Sequence, residues 1–493
     1  MLRAVRTVDL AGVGHRTLRE QSERPEGPWF LAYQQFGEHR DYAAGVRVRR
    51  ARTRAYESPN WWSDTTWHPA AVPTLVARDS LSAVVAGDGT ARPGGRDAAA
   101  ESAELLALSP ERVVLTARAA PDRRACGDST VHGFAHHVVR FTWRGAPATL
   151  LLNTYTGMPA AVAITRARPA SIFWAPWGDV TTTYAFSAWT LEPGGLRYPR
   201  LLTVESGGAG GVGLPNGPDY VWHVDRLVVN APNGRDSAAV PAVPDSVWAL
   251  AARARGSVDA IPIAPAAARA QGLAPGVVQL PNAWNVAEVA QPDGVVILEG
   301  PMSAGYSAQV IADAARRFPG ARVTAVVTTS DAWPHIGGMR EYAARGIPVY
   351  ALDLNVPILR RLWAASHRSV PDSLERVLAR APRAPVLRVV RGRTVVGTGP
   401  NRLELIPFRT ATGERQLMAY LPGRRLLYTS DLFSRDGAGG WFIPEYLGEA
   451  VDAVAREGLA VDTVFGMHLE PTAWAEVRAV VDSATRPPAR AGG

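Results

Sequence analysis

One loop in the second half of the chain combines reactive side chains with glycines that let the backbone turn. The β-branched run from Val323 to Thr329 is typical of a buried strand, and Gly337 and Gly338 mark a break before the helical sequence MREYAARG. The segment between them carries a hydroxyl, a carboxylate and an imidazole, from Ser330, Asp331 and His335. Such groups move protons or bind metal ions, so we expect the chemistry of the protein in this loop.

The same loop carries a known motif in reduced form. The pattern Thr-x-x-x-x-x-His-x-Gly-Gly, which starts at Thr329, resembles the metal-binding loop of the metallo-β-lactamase fold, T-H-x-H-x-D-H-x-G-G. His335 and the glycine pair are retained. Where the motif has its first His, its second His and its Asp, this chain has Ser330, Ala332 and Pro334.

The resemblance implies the positions of the remaining ligands. The third His of the first metal site falls in TATGERQLMAYLP, where this chain has Thr412. Asp431, in LLYTSDLF, matches the carboxylate that bridges two metal ions, and His468, in VFGMHLEP, matches the last His. The first site has therefore lost its three histidines. The second site has lost its Asp but keeps three residues, His335, Asp431 and His468.

Two interpretations of this residual set compete. In the first, His335, Asp431 and His468 hold one zinc or other divalent ion with open positions, and the protein is a mononuclear hydrolase of an ester, amide, thioester or phosphodiester. Asp331 is then the nearby candidate base. In the second, the domain is non-catalytic or free of metal. We favour the second interpretation, because all four substitutions fall on ligand positions, at Ser330, Ala332, Pro334 and Thr412.

Single residues in this region also have structural explanations. Asp331 fits an N-cap or an Asx turn as well as it fits a base. Glu299 follows a strand, at a position where metallo-β-lactamase-like proteins usually carry an Asp that supports the ligands, and we expect a structural role for it.

The second half of the chain predicts an αββα sandwich over residues 272–486. The predicted strands include GVVQL, WNVAEVA, VVILEGP and NRLELIPF, and SAGYSAQVIADAARRF predicts an amphipathic helix. These segments come in the order of the metallo-β-lactamase fold. Residues 487–493 predict a disordered tail.

The first half of the chain predicts an antiparallel β domain over residues 1–232. Short runs with period-two alternation, such as HHVVRFTWRG and TTTYAFSAWTL, are separated by Gly, Pro, Asn and Asp, which indicates a curved, half-barrel-like sheet. Its segment order resembles the β domains of lipoprotein carriers. Ten of the 15 Trp lie before residue 250, as core or as the lining of a cavity for an apolar ligand. That possibility leaves a ligand-binding or scaffold protein as a third interpretation. An Ala-, Pro- and Arg-rich linker over 233–271 joins the halves of this α+β protein.

Composition excludes several other functions. The formal charge is +8, but all 53 basic residues are Arg and they are spread along the chain, so we expect no nucleic-acid partner. The longest uncharged stretch contains Asn, Thr and Pro, so we expect no transmembrane segment. As written, the chain begins without a signal peptide, which predicts a cytoplasmic protein. A signal encoded upstream of a misassigned start would instead place it outside the cytoplasm.

A second group of metal-ligand residue types lies in the first half. Cys126, His132, His136 and His137 follow the pattern Cys-x5-His-x3-His with His137 adjacent. A structural zinc site needs four ligands, and this pattern has no second Cys nearby. We therefore expect no metal at this cluster. Oligomeric state and substrate leave no signal in the sequence.

Overall fold

A computed structural model of the protein describes residues 2–18, 30–55, 72–193, 195–208, 218–231, 240–254, 256–263, 270–282, 284–330, 332–381, 384–408, 415–435, 440–441 and 444–484. The chain divides into two compact units, with the boundary between Ser257 and Val258. Both contain helices and strands, so the α+β class is confirmed. The predicted tail at 487–493 lies outside the described residues.

The first unit is built on one sheet of 13 strands. Its strands and helices are β1 Thr7–Leu18, β2 Phe30–Asp41, β3 Val46–Ala55, β4 Thr74–Arg78, β5 Leu81–Val85, β6 Ala91–Pro93, α1 Ala98–Leu108, α2 Val113–Ala119, β7 Arg124–Val131, β8 Phe134–Trp143, β9 Ala146–Asn153, β10 Pro159–Ala167, β11 Asp179–Leu191, β12 Arg197–Gly208, β13 Tyr220–Val229 and α3 Asp245–Ala254. The strand order is β6-β5-β4-β3-β2-β1-β13-β12-β11-β10-β9-β8-β7, and every neighbouring pair is antiparallel.

Helices α1 and α2 fill the inside of this sheet. Helix α1 contacts β4 and β5, whereas α2 contacts β8 and β10 near the other end of the strand order, so the sheet curves around the helix pair. Leu105 and Leu108 of α1 join the core with Trp222 and residues of several strands. The predicted half-barrel-like domain is confirmed, and helices α1 and α2 pack against its inner face.

Buried charges also lie on the inside of the sheet. Glu104 of α1 is fully buried and forms ion pairs with Arg166 in β10, at 2.5 Å, and with Arg168 directly after β10, at 3.0 Å. Glu111, which lies between the two helices, accepts a hydrogen bond from Arg40 Nη1 at 3.0 Å. These contacts tie the helix pair to the sheet, because an unpaired buried charge is costly.

The segment predicted as a linker, 233–271, contains ordered structure on both sides of the boundary. Helix α3 contacts β5 and β6 of the first unit, and Trp248 packs against the small core of Val46, Val48, Val76 and Val85. In the second unit, the short 3-10 helix Val258–Ala260 contacts the first long helix of that unit, with Asp259 Oδ1 accepting from Gly305 N at 2.7 Å.

The second unit contains two sheets and seven α-helices in its described residues. Its elements are β14 Gln271–Ala274, β15 Val277–Leu280, β16 Val286–Gln291, β17 Gly294–Leu298, α4 Ala304–Arg317, β18 Val323–Val327, α5 Trp333–Ile336, α6 Met339–Arg345, β19 Val349–Leu352, α7 Val356–Ala364, α8 Ser373–Arg380, β20 Leu387–Val390, β21 Thr394–Val396, β22 Leu403–Phe408, β23 Gln416–Leu421, β24 Leu426–Tyr428, α9 Pro444–Arg456, β25 Thr463–Gly466, β26 Leu469–Ala473 and α10 Trp474–Ala484. One sheet runs β14 to β20 in order and the other runs β21 to β26 in order.

These elements form four layers. A core that includes Val296, Leu298, Leu405 and Ala419 lies between the two sheets. Helices α9 and α10 cover the outer face of the β21–β26 sheet through a second core. Helices α4 and α6 contact β18 and β19 of the other sheet. The predicted αββα sandwich is confirmed. Strand β17 is buried at all five positions, as expected for a strand covered on both faces.

No helix in the described part of the chain is both long and apolar enough to cross a membrane.

Candidate functional site

The candidate site lies where parallel strands of both sheets end. Strands β17 and β18 are parallel neighbours in one sheet, and β24 and β25 are parallel neighbours in the other. The carboxyl ends of parallel neighbours lie at the same edge of a sheet. Glu299 follows β17, the loop with His335 follows β18, Asp431 follows β24 and His468 follows β25.

His335, Asp431 and His468 lie together. His335 Nε2 is 2.8 Å from Asp431 Oδ2, and His468 Nε2 is 3.2 Å from Asp431 Oδ1. One ligand atom from each residue can be chosen such that all three lie within 4.8 Å of one another. His335 is buried at 2% exposure, whereas the other two side chains are partly open. The structure therefore brings together three residues from segments that are far apart in sequence.

Asp431 is ionised at neutral pH in this arrangement. Burial alone disfavours the carboxylate, but the charge of His335 and the imidazole groups of His335 and His468 outweigh it and hold the pKa of Asp431 well below its usual value. His468 Nε2 lies 3.2 Å from Asp431 Oδ1, so both carboxylate oxygens of Asp431 face an imidazole nitrogen.

Glu299 lies behind the His335 ring. Its Oε2 is 4.0 Å from His335 Nδ1, and its Oε1 accepts hydrogen bonds from the backbone N of Thr329, at 3.2 Å, and from the Thr329 hydroxyl. Burial raises the pKa of Glu299 to about 7, and this rise is opposed by His335. Glu299 has φ = +77°, a backbone conformation that non-glycine residues rarely adopt. The structure agrees with a supporting role for Glu299.

The turn that carries His468 is held by two buried amide side chains. Gln279 Nε2 donates to Gly466 O and Leu469 O, both at 3.0 Å. Asn285 Nδ2 donates to Gly466 O at 3.1 Å, and the backbone N of Asn285 donates to Met467 O at 2.8 Å. These amides fix the backbone on both sides of His468. Sequence reasoning missed both residues, because a single Asn or Gln in a strand region gives no signal of a distant partner.

The substituted ligand positions are only partly described. Ser330 is buried, and its hydroxyl accepts a hydrogen bond from Ala332 N at 3.2 Å. Ala332 precedes the short helix α5, whose residues include Pro334 and His335. Asp331, the predicted base, and Thr412, the substituted third His, lie outside the described residues. Their predicted roles stay predictions.

The Cys/His group of the first half does not come together as a metal site. Cys126 is exposed, His136 is buried at 6% exposure, and His137 Nδ1 is 2.6 Å from Asp128 Oδ1. Among the described residues, the only group with metal-ligand geometry is His335, Asp431 and His468. Of the Trp residues considered for a ligand cavity, Trp177 and Trp222 are buried at 1% and 3% exposure, whereas Trp143 lines a cavity of the first unit. Trp61, Trp62 and Trp67 lie outside the described residues.

Comparisons with known proteins give partial matches to solved structures. No family model matches the chain, and no curated protein sequence matches it. The inverting sec-alkylsulfatase Pisa1 from Pseudomonas sp. matches with a TM-score of 0.32 and 16% identity, over 44% of this chain and 40% of the sulfatase chain. TMB-1 matches with a TM-score of 0.31 and 13% identity, over 44% of this chain and 98% of its own. The metallo-β-lactamase DIM-1 matches with a TM-score of 0.31 and 14% identity, over 44% of this chain and 97% of its own.

This chain thus spans less than half of the sulfatase that it matches. The second unit has two sheets packed face to face with helices on both outer sides, which is the αββα layer order of the metallo-β-lactamase fold.

Proposed function

We propose that the second unit binds one divalent metal ion through His335, Asp431 and His468 and acts as a mononuclear metal-dependent hydrolase. The observation that carries the proposal is the convergence of these three side chains at the carboxyl ends of β18, β24 and β25. This reverses the preference drawn from the sequence, in which four substituted positions weighed against metal chemistry.

The donor set fits a catalytic metal ion. Two imidazole nitrogens and one carboxylate leave further coordination positions open, as catalytic zinc sites do, and the same set suits other divalent metals. Asp431 is ionised at neutral pH, as a ligand must be. A bound ion of this kind supplies Lewis-acid chemistry and an activated water to ester, amide, thioester or phosphodiester substrates.

The chain itself contributes orientation. Glu299 Oε2 lies 4.0 Å from the ring nitrogen of His335 that faces away from Asp431, which is longer than a hydrogen bond but places a carboxyl group on that side of the imidazole. Gln279 and Asn285 hold the turn on either side of His468. All three supporting side chains lie in or beside strands of the β14–β20 sheet, and their support limits the reorganisation needed to bind an ion.

The second candidate function is that of a non-catalytic domain, which has this fold but binds no metal ion. One observation favours it: Ser330, at the first substituted ligand position, is buried and engaged by Ala332 N instead of facing an open site. In that case His335, Asp431 and His468 are held together by their ion pairs alone.

Metal content separates the two candidates. We would dialyse the full chain against zinc, manganese or iron and measure bound metal by mass spectrometry, for the wild type, for Asp431→Ala with His468→Ala, and for Asp462→Ala as control. Asp462 is exposed and pairs with Arg425 at 2.8 Å, away from the three ligands. We expect close to one equivalent in the wild type and the control and none in the double variant. Metal absent from the wild type would refute the proposal.

Activity is the second readout. The metal-loaded protein is screened against ester, thioester, amide and phosphodiester chromogenic substrates, with the same variants. Hydrolysis that is lost in the double variant supports the hydrolase. Stoichiometric metal without hydrolysis of any class would leave the metal site standing and favour a non-catalytic domain.

A further inference from the structure

The first unit contains a cavity of about 410 Å³ beside the helix pair. Half of its described lining residues belong to α1 and α2, and the others come from Arg112 between the helices and from strand ends and turns of the same unit. The apolar side chains that the two helices contribute are Ala99, Ala103, Leu106, Ala107, Leu115 and Ala119. Small-molecule sites are usually concave, mostly apolar and of this size. The cavity therefore offers a place for a short apolar tail.

Three arginines give the cavity its charge. Arg78, Arg112 and Arg144 line it, and Asp79 is the one acidic residue among its described lining residues. Each guanidinium lies over an aromatic ring: Arg112 over Tyr42 at 4.2 Å, and the other two over Trp248 and Trp143, both at 5.0 Å. Stacking on a ring holds the planar group without using its hydrogen-bond donors.

Arg78 and Arg144 are exposed and Arg112 is half-buried, unlike the buried arginines on the inside of the sheet. Arg40, Arg47 and Arg168 are buried in ion pairs with Glu38 or Glu104, which consume their charge. By contrast, Arg78, Arg112 and Arg144 form no ion pair with any residue that the structure describes. The cavity thus combines an apolar wall with positive groups whose donors are available to a ligand.

We infer that this cavity binds an anionic amphiphile, with the apolar tail against α1 and α2 and a carboxylate or phosphate headgroup on the arginines. A planar guanidinium fork matches both headgroups, each of which accepts two parallel hydrogen bonds. A cationic amphiphile of the same length meets repulsion instead. The inference concerns the first unit and does not depend on the metal site proposed for the second.

Calorimetric titration of the full chain tests the inference. The probes are dodecanoate and dodecyl phosphate, kept below their micelle concentrations, with dodecyltrimethylammonium as the cationic comparison. We expect saturable binding of at least one anion, and binding of the cation weaker by about tenfold or more, because a charge-assisted contact is worth more than a neutral one. The stronger of the two anions identifies the headgroup.

Variants locate the site. Arg112→Gln with Arg144→Gln should weaken binding of the anion by about tenfold or more, since two charge-assisted contacts are removed. Arg118→Gln, on the exposed side of α2 and outside the cavity lining, is the matched control and should bind as the wild type does. Ala103→Phe places a ring in the cavity and should weaken binding with the arginines intact.

Three results would overturn the inference. They are no saturable binding of either anion, equal binding of the cation, and binding that neither the paired arginine variant nor Ala103→Phe weakens. The filling variant keeps the test decisive if the arginine variant does not fold.

Discussion

Gly338 lies directly against Gly300: its backbone N donates to Gly300 O at 2.8 Å. A Cβ on Gly338 would lie 1.9 Å from Ser307 Oγ, 2.8 Å from Ser303 O and 3.0 Å from Gly300 O. This close approach ties the end of the His335 loop to the start of α4. It gives the glycine of the sequence motif a packing reason, because two of the three atoms belong to backbone and cannot turn aside.

Gly338→Ala should therefore destabilise the second unit, by about 2 kcal/mol or more, as overpacking of a tight contact does. The measurement is hydrogen exchange of α4 and α6 peptides in the full chain. Gly448→Ala is the control, because Gly448 lies inside α9 and a Cβ there meets no atom within 4 Å. We expect that change to be neutral or to stabilise by up to about 1 kcal/mol. Equal effects of the two substitutions would contradict the packing argument.

Glu288 makes the stability of the second unit depend on pH. Burial and the neighbouring Asp313 raise the pKa of Glu288 to about 7 from an ordinary value of 4.5, although Arg317 opposes the shift. The folded state then binds more protons than the unfolded state between these values, so stability falls as pH rises from 4.5 towards 7, by up to roughly 3 kcal/mol.

Glu288→Gln should reduce the fall in stability between pH 4.5 and 7 and leave the part that is due to Glu299, whose pKa is raised to about 7 as well. A series of urea denaturation curves between pH 4 and 8 measures the change. The variant should become more stable relative to the wild type as the pH rises from 4.5 to 7. Asp293→Asn, an exposed substitution in the β16–β17 turn, should keep the slope of the wild type. A parallel pH dependence of wild type and Glu288→Gln would show that Glu288 is not the group responsible.

The first unit contains a buried charge cluster centred on Glu38. Arg40 Nε and Arg47 Nη2 each donate to Glu38 at 2.7 Å, and Arg49 Nη1 donates at 3.0 Å. Burial opposes ionisation of Glu38, but these guanidinium groups outweigh it and hold the pKa of Glu38 well below its usual value. The stabilisation is therefore present above the unfolded pKa and is lost as the pH falls through the folded one.

Glu38→Gln removes the carboxylate that Arg47 and Arg49 share and leaves Arg40 with Glu111 alone, so it should cost about 3–5 kcal/mol at neutral pH. Urea denaturation followed through hydrogen exchange of β2 and β3 gives the value. Glu205→Gln, an exposed change in β12 of the same sheet, should cost less than about 0.5 kcal/mol. If Glu38→Gln lowers the free energy of unfolding no more than this control does, the charge cluster does not stabilise the sheet.

This cluster also shows where sequence reasoning stopped. The alternation in β3, VRVRRARTRA, is typical of a half-buried strand with its charges in solvent. In the structure Arg47 is buried, because Glu38 and Ser102 supply partners from a neighbouring strand and from α1. Periodicity shows that two faces differ, but a charged face is assigned to solvent by default, and partners that lie far along the chain decide otherwise.

The second unit was predicted more completely, for a physical reason. Its buried strands and amphipathic helices carry local patterns, and the carboxyl ends of its parallel strands must meet, so the positions of His335, Asp431 and His468 follow from element order. Gln279 and Asn285 carry no local pattern. Their hydrogen bonds reach Gly466, which lies 187 and 181 residues further along the chain, and only the folded structure shows them.

Asn285 gives the sharpest test of the proposed metal site that leaves every ligand in place. Its side chain and backbone hold the turn around His468, so Asn285→Ala should weaken metal binding by about tenfold to a hundredfold. Competition titration of zinc against a chromophoric chelator measures the affinity. Asn401→Ala is the matched control, since Asn401 is equally buried at 5% exposure and its Nδ2 also donates to two backbone carbonyls, those of Pro275 and Ala290, both at 2.9 Å.

Both substitutions remove a buried amide that bridges backbone segments, so both should lower the free energy of unfolding. Only Asn285→Ala should change zinc affinity, because only Asn285 positions a proposed ligand. A loss of affinity in both variants would mean that general destabilisation, and not the placement of His468, governs binding. Unchanged affinity in Asn285→Ala would mean that His468 does not need this support to reach the ion, or does not bind it.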